Sequence, residues 1–318
     1  MGAFAESSFV ERVCLPFLRS TQNQDGGWGF RPGSQSRVEP TCWTLQALVV
    51  GASDQLGNPE RVARGFRFLL AQQLPNGSWP STPGDPHGGW VTSLACCALR
   101  LHPDSDKAAA AGLNWLCDDW PRDSSLWRRF LARFSSQQKI FPINNSFRGW
   151  GWTPGTSSWV EPTSFALLAS EQGGDGVSAS IVKRRRELAT SLLYDRMCPG
   201  GGWNCGNPSV YGVAGEPLVV PTAFALLALR AHPGRRENVE SLGWLERSIA
   251  NIQAAGSLAV ARICLSAYGR EWPAQAARFA ALHTNGEFLE SVQVTAWTCM
   301  ALSGQDWLAC AAAVRNRS

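Results

Sequence analysis

The stretch Thr41-Cys42-Trp43-Thr44-Leu45-Gln46-Ala47-Leu48 is the first copy of a pattern that recurs along the chain. In each copy a large apolar residue stands two positions after a threonine, and an alanine follows four positions later. Such internal repetition is typical of architectures built from one stacked supersecondary unit. The six copies begin at Thr41, Thr92, Thr163, Thr222, Ala261 and Thr295, with alanine replacing the threonine in the fifth.

Most copies are apolar on nearly every face, which is typical of a helix buried on all sides. Each is preceded by an amphipathic segment with charges on one face. These segments are Ser8–Ser20, Pro59–Gln73, Asp106–Asp119, Ser178–Met197, Glu237–Gln253 and Pro273–His283.

Alternating buried and amphipathic helices predict an all-α fold, an (α/α)6 toroid with six inner and six outer helices. No linker divides the chain, so we expect a single domain over residues 1–318. An extra helix is expected at Leu126–Gln137, within an insertion in the third repeat. The inner helices are predicted near residues 40–50, 90–101, 161–170, 220–231, 258–268 and 293–303.

Composition excludes several classes of function. The 29 basic and 25 acidic residues give a net charge of +4, too small to indicate a nucleic-acid partner. No stretch approaches the roughly 20 apolar residues that a membrane span needs. The ten cysteines include no CxxC pair, and no secretory signal is present, so we expect a reduced, cytoplasmic protein. Peripheral contact with a membrane stays open.

Two loops have the same plan, Gln-x-x-(Asp/Asn)-Gly-x-Trp. They are Gln22 to Trp28 and Gln73 to Trp79. This motif resembles the "QW" repeat of squalene–hopene and oxidosqualene cyclases, whose superfamily of α/α toroids includes the β-subunits of protein prenyltransferases. The Asp/Asn-Gly pair favours a tight turn. We expect the glutamine amide to cap a neighbouring helix end while the tryptophan ring stacks over it.

The resemblance also implies a candidate acid. Class II terpenoid cyclases protonate their substrate with the middle Asp of Asp-x-Asp-Asp-Thr at the top of an inner helix. Aligned on the threonine, the segment Trp159 to Thr163 places Glu161 at that position, while Trp159 and Pro162 replace the other two aspartates. Val38-Glu39-Pro40-Thr41 repeats the arrangement, so Glu161 and Glu39 are the predicted catalytic residues.

Two interpretations of these glutamates follow from the residues themselves. A glutamate enclosed in an apolar pocket has a raised pKa and remains protonated, which suits a general acid. Alternatively, each glutamate caps its helix by accepting backbone hydrogen bonds, with the proline at the first helical position.

In a toroid the loops before the inner helices gather at one end of the barrel, which we call the mouth. The aromatic residues there could stabilise a carbocation, line a pocket for an isoprenoid tail, or simply fill the barrel. A barrel filled by Trp43, Phe165, Phe224 and Trp297 would favour a scaffold. The predicted substrate-binding residues are Trp90, Trp150, Trp152, Trp159, Phe165, Trp203, Tyr211 and Phe224.

Metal and cofactor chemistry has little support in the sequence. His87 and Cys205 could lie near the mouth, but a zinc site needs three or four such ligands. No glycine loop for phosphate and no Asp-rich diphosphate–magnesium motif occurs. We therefore predict neither a metal nor a cofactor.

The resemblance implies a class II terpenoid cyclase-like enzyme that acts on a small apolar isoprenoid. The reaction would be an acid-initiated cyclisation or isomerisation through a carbocation. The alternative is a non-catalytic toroid that binds a lipid, a peptide or a partner protein.

Overall fold

A computed structural model describes residues 8–51, 59–121, 143–171, 177–270, 275–284, 288 and 290–305. The predicted helix Leu126–Gln137 lies outside these ranges. The helices are α1 (Leu15–Ser20), α2 (Val38–Gly51), α3 (Pro59–Ala71), α4 (Val91–Leu99), α5 (Asp106–Asp118), α6 (Val160–Ser170), α7 (Ala179–Asp195), α8 (Val219–Ala228), α9 (Arg236–Ser248), α10 (Ala255–Ala267), α11 (Gln275–Thr284) and α12 (Val292–Leu302).

Shorter elements join these helices. A π-helical segment, Val10–Cys14, leads into α1, and single 3₁₀ turns occur at Pro103–Ser105 and Ile249–Asn251. The two short strands β1 (Ser209–Val210) and β2 (Val213–Ala214) form an antiparallel hairpin between α7 and α8.

The even-numbered helices form the inner ring. Each contacts the next one along the chain, and α12 contacts α2, so that the ring closes. The odd-numbered helices lie outside it. Helix α3 shows the amphipathic pattern of this layer, because it buries Phe66, Phe68 and Leu69 and exposes Glu60 and Arg67. The predicted all-α toroid is confirmed.

A recurrent tryptophan–threonine contact ties the two layers together. The backbone N–H of Trp28 donates to Thr41 Oγ1 over 2.9 Å, and its indole Nε1–H donates to the Leu18 carbonyl over 2.7 Å. That carbonyl lies in the last turn of an outer helix, where backbone acceptors lack intrahelical donors. The same pair of bonds joins Trp79 to Thr92 and Leu69, Trp150 to Thr163 and Leu116, and Trp203 to Thr222 and Leu193.

This close approach explains a glycine before the third tryptophan. A Cβ at Gly149 would lie 2.1 Å from Thr163 Oγ1, so that only glycine fits there.

The sequence expectation for the glutamines is met in part. Gln73 Nε2 donates to the Gly77 and Ala108 carbonyls, both over 2.9 Å, and thereby links its turn to the next outer helix. The indole, rather than the amide, bonds the end of the preceding outer helix.

The helix that carries Glu161 and Pro162 begins two residues earlier than the sequence suggested. Helix α6 starts at Val160 with Trp159 as its N-cap, so Glu161 and Pro162 are the second and third helical residues. The structure therefore differs from the prediction of proline at the first position. The first four N–H groups of a helix lack intrahelical acceptors, so proline at the third position removes no helical bond.

Candidate active site

The loops that precede the inner helices meet at one end of the ring, as predicted for the mouth. The N–H of Val160 donates to the Cys205 carbonyl over 3.1 Å, which joins the loops before α6 and α8. The N–H of Val292 likewise donates to the Phe30 carbonyl over 3.0 Å. These bonds connect loops that are distant in sequence, so each of them joins two parts of the mouth.

Glu39 is a half-buried carboxyl at this mouth. It is the second residue of α2, and its Oε1 accepts a hydrogen bond from Gln293 Nε2 of α12 over 3.0 Å. The pKa of Glu39 is raised to about 7, chiefly by burial; the hydrogen bond from Gln293 opposes the rise, and the charge of Glu161 adds a smaller contribution to it. Glu39 is therefore a carboxyl that holds a proton near neutral pH.

Glu161 occupies the corresponding position on α6. Burial raises the pKa of its carboxyl as well. Trp159, not Glu161, is the N-cap residue, and no described residue donates a hydrogen bond to the Glu161 side chain. The helix-capping interpretation of Glu161 is thus wrong, because the carboxyl lies within the first turn and bonds none of its backbone donors.

The two glutamates and Gln293 share one layer of the barrel. Each stands two residues before the repeat threonine, or before its alanine replacement, and this column runs around the ring at the mouth. Its six members are Glu39, Trp90, Glu161, Val220, Ala259 and Gln293. Three of the six carry carboxyl or amide groups, so the layer is polar on one part of the ring.

The next layer, four residues deeper, is aromatic. Trp43 on α2 lies with its ring centre 6.0 Å from that of Phe165 on α6 and 5.9 Å from that of Phe224 on α8. Neither helix is a neighbour of α2 in the ring, so these side chains meet at the barrel axis. Trp297 joins them at 5.6 Å from Trp43. The axis is filled at this depth.

Trp90 and Trp152 extend the aromatic surface from this layer to solvent. The Trp90 ring lies 5.4 Å from Phe165 and 5.0 Å from Trp152, measured between ring centres. Trp152 is 37% exposed. Trp159 is half-buried and accompanies Trp152 in the loop before α6. These three predicted substrate-binding residues lie together at the mouth.

The other predicted aromatics lie elsewhere. Trp150 and Trp203 are buried in the tryptophan–threonine contacts between the layers. Tyr211 stands at the tip of the β1–β2 hairpin, 74% exposed, with a φ of 52°. Phe165 and Phe224 belong to the filled axis. The predicted substrate-binding residues thus lie in four different places: at the mouth, on the barrel axis, between the two helix layers and on the hairpin.

Gln293 is the residue that sequence reasoning missed. It occupies the same column as Glu39 and Glu161, in the segment Val292-Gln293-Val294-Thr295. Reading the column two residues before each threonine, rather than the glutamate–proline pair, would have found it.

The described residues contain no group of three or more potential metal ligands. His87 is exposed and pairs with Asp85 Oδ1 over 3.1 Å. Cys205 is exposed as well; its pKa is raised, chiefly by partial burial of the thiol and to a smaller extent by the charge of Glu161. Among the described helices, none is long and apolar enough to cross a bilayer.

No family model matches the chain. Human lanosterol synthase is 38% identical over 81 residues, which are 22% of this chain and 10% of that protein. Drimenyl diphosphate synthase from Streptomyces showdoensis is 26% identical over 248 residues, 67% of this chain and 45% of that protein. The D109A variant of the type II terpene cyclase MstE from Scytonema, in complex with merosterolic acid A, superposes with a TM-score of 0.61. That match has 13% identity and covers 96% of this chain and 99% of the other.

The chain is an α/α toroid, and parts of its sequence are similar to those of lanosterol synthase and drimenyl diphosphate synthase. This toroid spans less than half the length of the curated relatives named above. Its structural match shows the fold alone, since a glycosidase variant superposes with a TM-score of 0.56 at 11% identity, covering 96% of this chain and 98% of the other. A function for this toroid therefore has to be argued from the chemistry of its mouth.

Proposed function

We propose that this chain is the acid-bearing barrel of a class II terpenoid cyclase-like enzyme. It would start the cyclisation or isomerisation of an isoprenoid by proton transfer. The observation that carries the proposal is the pair Glu39 and Glu161, two half-buried carboxyls with raised pKa values in one layer directly above an aromatic layer. The described helices are compatible with one toroid domain over residues 1–318.

The reaction needs a protonated carboxyl and a place for positive charge. The acid O–H transfers its proton to an alkene carbon or an epoxide oxygen. In the alkene case the π electrons form the new C–H bond and leave a cation at the more substituted carbon. A neighbouring double bond then attacks that cation, and a final proton loss returns the proton to the carboxylate, so that the net reaction is an isomerisation. No cofactor enters this balance.

The aromatic residues supply the second requirement. Trp90, which belongs to the same column as the two glutamates, contacts both Trp152 and Phe165, so aromatic rings lie beside the carboxyl layer. A cation over such a face is stabilised by roughly 0.5–2 kcal/mol, more when water is excluded. Because the axis is filled one layer below, the substrate would bind at the mouth rather than deep in the barrel.

The sequence relatives narrow the substrate class. One of these relatives is named for drimenyl diphosphate and the other for lanosterol. We therefore include polyprenyl diphosphates with polyprenyl epoxides, alcohols and alkenes in the set of test substrates.

The filled axis favours a second candidate function. Trp43, Phe224 and Trp297 pack against one another at the centre of the ring, as they would in a scaffold. A non-catalytic toroid would use the same mouth to bind an isoprenoid lipid, a peptide or a partner protein without turnover.

One experiment separates the two candidates. The purified full chain is incubated with the substrate set, and products are identified by gas chromatography with mass spectrometry. Binding is followed in parallel by quenching of tryptophan fluorescence. Turnover that Glu161→Gln or Glu39→Gln abolishes, with binding retained, supports the enzyme. Binding without any product supports the non-catalytic toroid.

A further inference from the structure

Gln293 and Glu39 form a side-chain hydrogen bond between the first and last inner helices. The 3.0 Å bond runs from an amide that can donate to a carboxyl that can accept. The two residues are far apart in the chain and meet only because α12 packs against α2 when the ring closes. The contact therefore exists only in the completed toroid.

The direction of this bond has a chemical consequence. In a protonated carboxyl the carbonyl oxygen is the better acceptor, while the hydroxyl oxygen carries the proton. Donation from Gln293 to Oε1 marks Oε1 as the carbonyl oxygen and leaves Oε2 to carry the proton. An N–H donor also stabilises the ionised carboxylate, which makes the acid stronger.

Two other groups act electrostatically on the Glu39 carboxyl in the described residues. The charge of Glu161, on α6, acts on Glu39 from across the mouth. The buried Cys42 thiol, on α2 itself, also interacts with it electrostatically. Neither group donates a hydrogen bond to the Glu39 carboxyl in the described residues, and Gln293 does.

We propose that Gln293 is a positioning residue for the acid, holding Glu39 Oε1 so that the transferable proton resides on Oε2. This inference rests on the proposed function, because it assigns Glu39 as the proton donor. The role of Gln293 is to orient the carboxyl and to increase its acidity; it transfers no proton itself.

The test combines a titration with kinetics in Gln293→Leu. Loss of the donor is expected to move the titration midpoint of the Glu39 carboxyl upward by about one pH unit, followed by carbon-13 NMR with Glu39→Gln for assignment. Turnover on its low-pH plateau should fall about tenfold, because the acid is weaker, while KM stays the same. The pH at which turnover is half lost should nevertheless rise. A merely structural defect would lower the turnover plateau without raising the pH at which turnover is half lost.

Gln46→Leu is the matched control. Gln46 is a buried glutamine of α2, and among the described residues its Nε2 donates to the Cys42 carbonyl of its own helix alone, over 3.1 Å. Its replacement should leave the Glu39 midpoint unchanged. In the Glu39→Gln background, Gln293→Leu should have no further effect on residual turnover. Gln293→Met, which keeps the length of the stem, replaces Gln293→Leu if the latter does not fold.

The outcomes are separable from those of the proposed function. An unchanged Glu39 midpoint in Gln293→Leu overturns the positioning role, whatever the turnover. A raised midpoint in a protein that converts none of the substrates supports the hydrogen-bond assignment and refutes the enzyme. A raised midpoint with a lower plateau supports both.

Discussion

The charge of Glu161 acts on the carboxyl of Glu39, although α4 separates their two helices in the inner ring. Two half-buried carboxyls close enough for one charge to act on the other resist simultaneous ionisation, since the two negative charges repel. The pair therefore tends to retain one proton. Glu39 is the member whose pKa rises to about 7, which makes it the stronger candidate for holding that proton.

The raised pKa of Glu39 predicts how stability depends on pH. An acid whose pKa is higher in the folded than in the unfolded state binds more protons when folded, so stability falls as pH rises from 4.5 to about 7. Glu39→Gln removes this loss. Relative to the wild type, the variant should gain up to about 3 kcal/mol between pH 4 and pH 8, since a tenfold change in proton affinity corresponds to about 1.4 kcal/mol.

Urea unfolding at several pH values measures this difference. Glu161→Gln should change stability in the same direction, because burial raises that pKa too. A stability difference between Glu39→Gln and wild type that stays constant over the range would show that Glu39 is not perturbed by folding.

The tryptophan–threonine contact predicts a large effect from a small substitution. Thr41→Val keeps the shape of the side chain but leaves the buried Trp28 N–H without its acceptor, which should cost about 1–3 kcal/mol. Thr44→Val is the matched control on the same helix. Thr44 is equally buried, and its hydroxyl has no hydrogen-bond partner in the described structure, so its loss should be neutral or stabilising. Equal losses in the two variants, read from urea midpoints, would contradict the contact's role.

Arg185 gives a third prediction. Its guanidinium lies between the Trp120 and Trp150 rings, 4.2 and 4.1 Å from their centres, and donates to the Asp119 carbonyl over 2.8 Å. Arg185→Met should destabilise the protein by about 3 kcal/mol, because it removes both the cation–π contacts and the charged hydrogen bond. Arg184→Met, one residue earlier on the exposed face of α7, should change stability by less than about 0.5 kcal/mol in thermal unfolding. Similar stabilities for Arg185→Met and wild type would mean that the cost of burying the guanidinium offsets its contacts.

The sequence was sufficient for the architecture because the repeat fixes both helix layers. One recurring unit contains the threonine column, the alanine column and the glutamine–tryptophan loops. These features can be recognised within each repeat, without knowledge of contacts across the ring. The same logic misplaced Trp150 and Trp203. Their indole N–H groups belong to the layer contact, and only the hydrogen bonds to Leu116 and Leu193 distinguish them from mouth residues such as Trp152.

The site was harder to predict because it depends on contacts across the ring. Whether Trp43, Phe165 and Phe224 leave a cavity is decided by how far their helices approach, which no single repeat encodes. The partnership of Glu39 with Gln293 likewise arises only when the ring closes. The basic run from Lys183 to Arg186 illustrates the same limit: it suggests a solvated face, yet Arg185 turns inward to the two tryptophans and is 1% exposed.

The most direct test of the central claim is the turnover of wild type, Glu39→Gln and Glu161→Gln on the same isoprenoid that the wild type converts. A positioned general acid contributes roughly 10²–10⁴-fold to the rate, so we expect a loss of that size in Glu39→Gln, while the substrate still quenches the tryptophan fluorescence. Glu161→Gln should lose activity too, since the pair acts together. Wild-type turnover that survives in both variants would contradict the assignment of the mouth carboxyls as the acid.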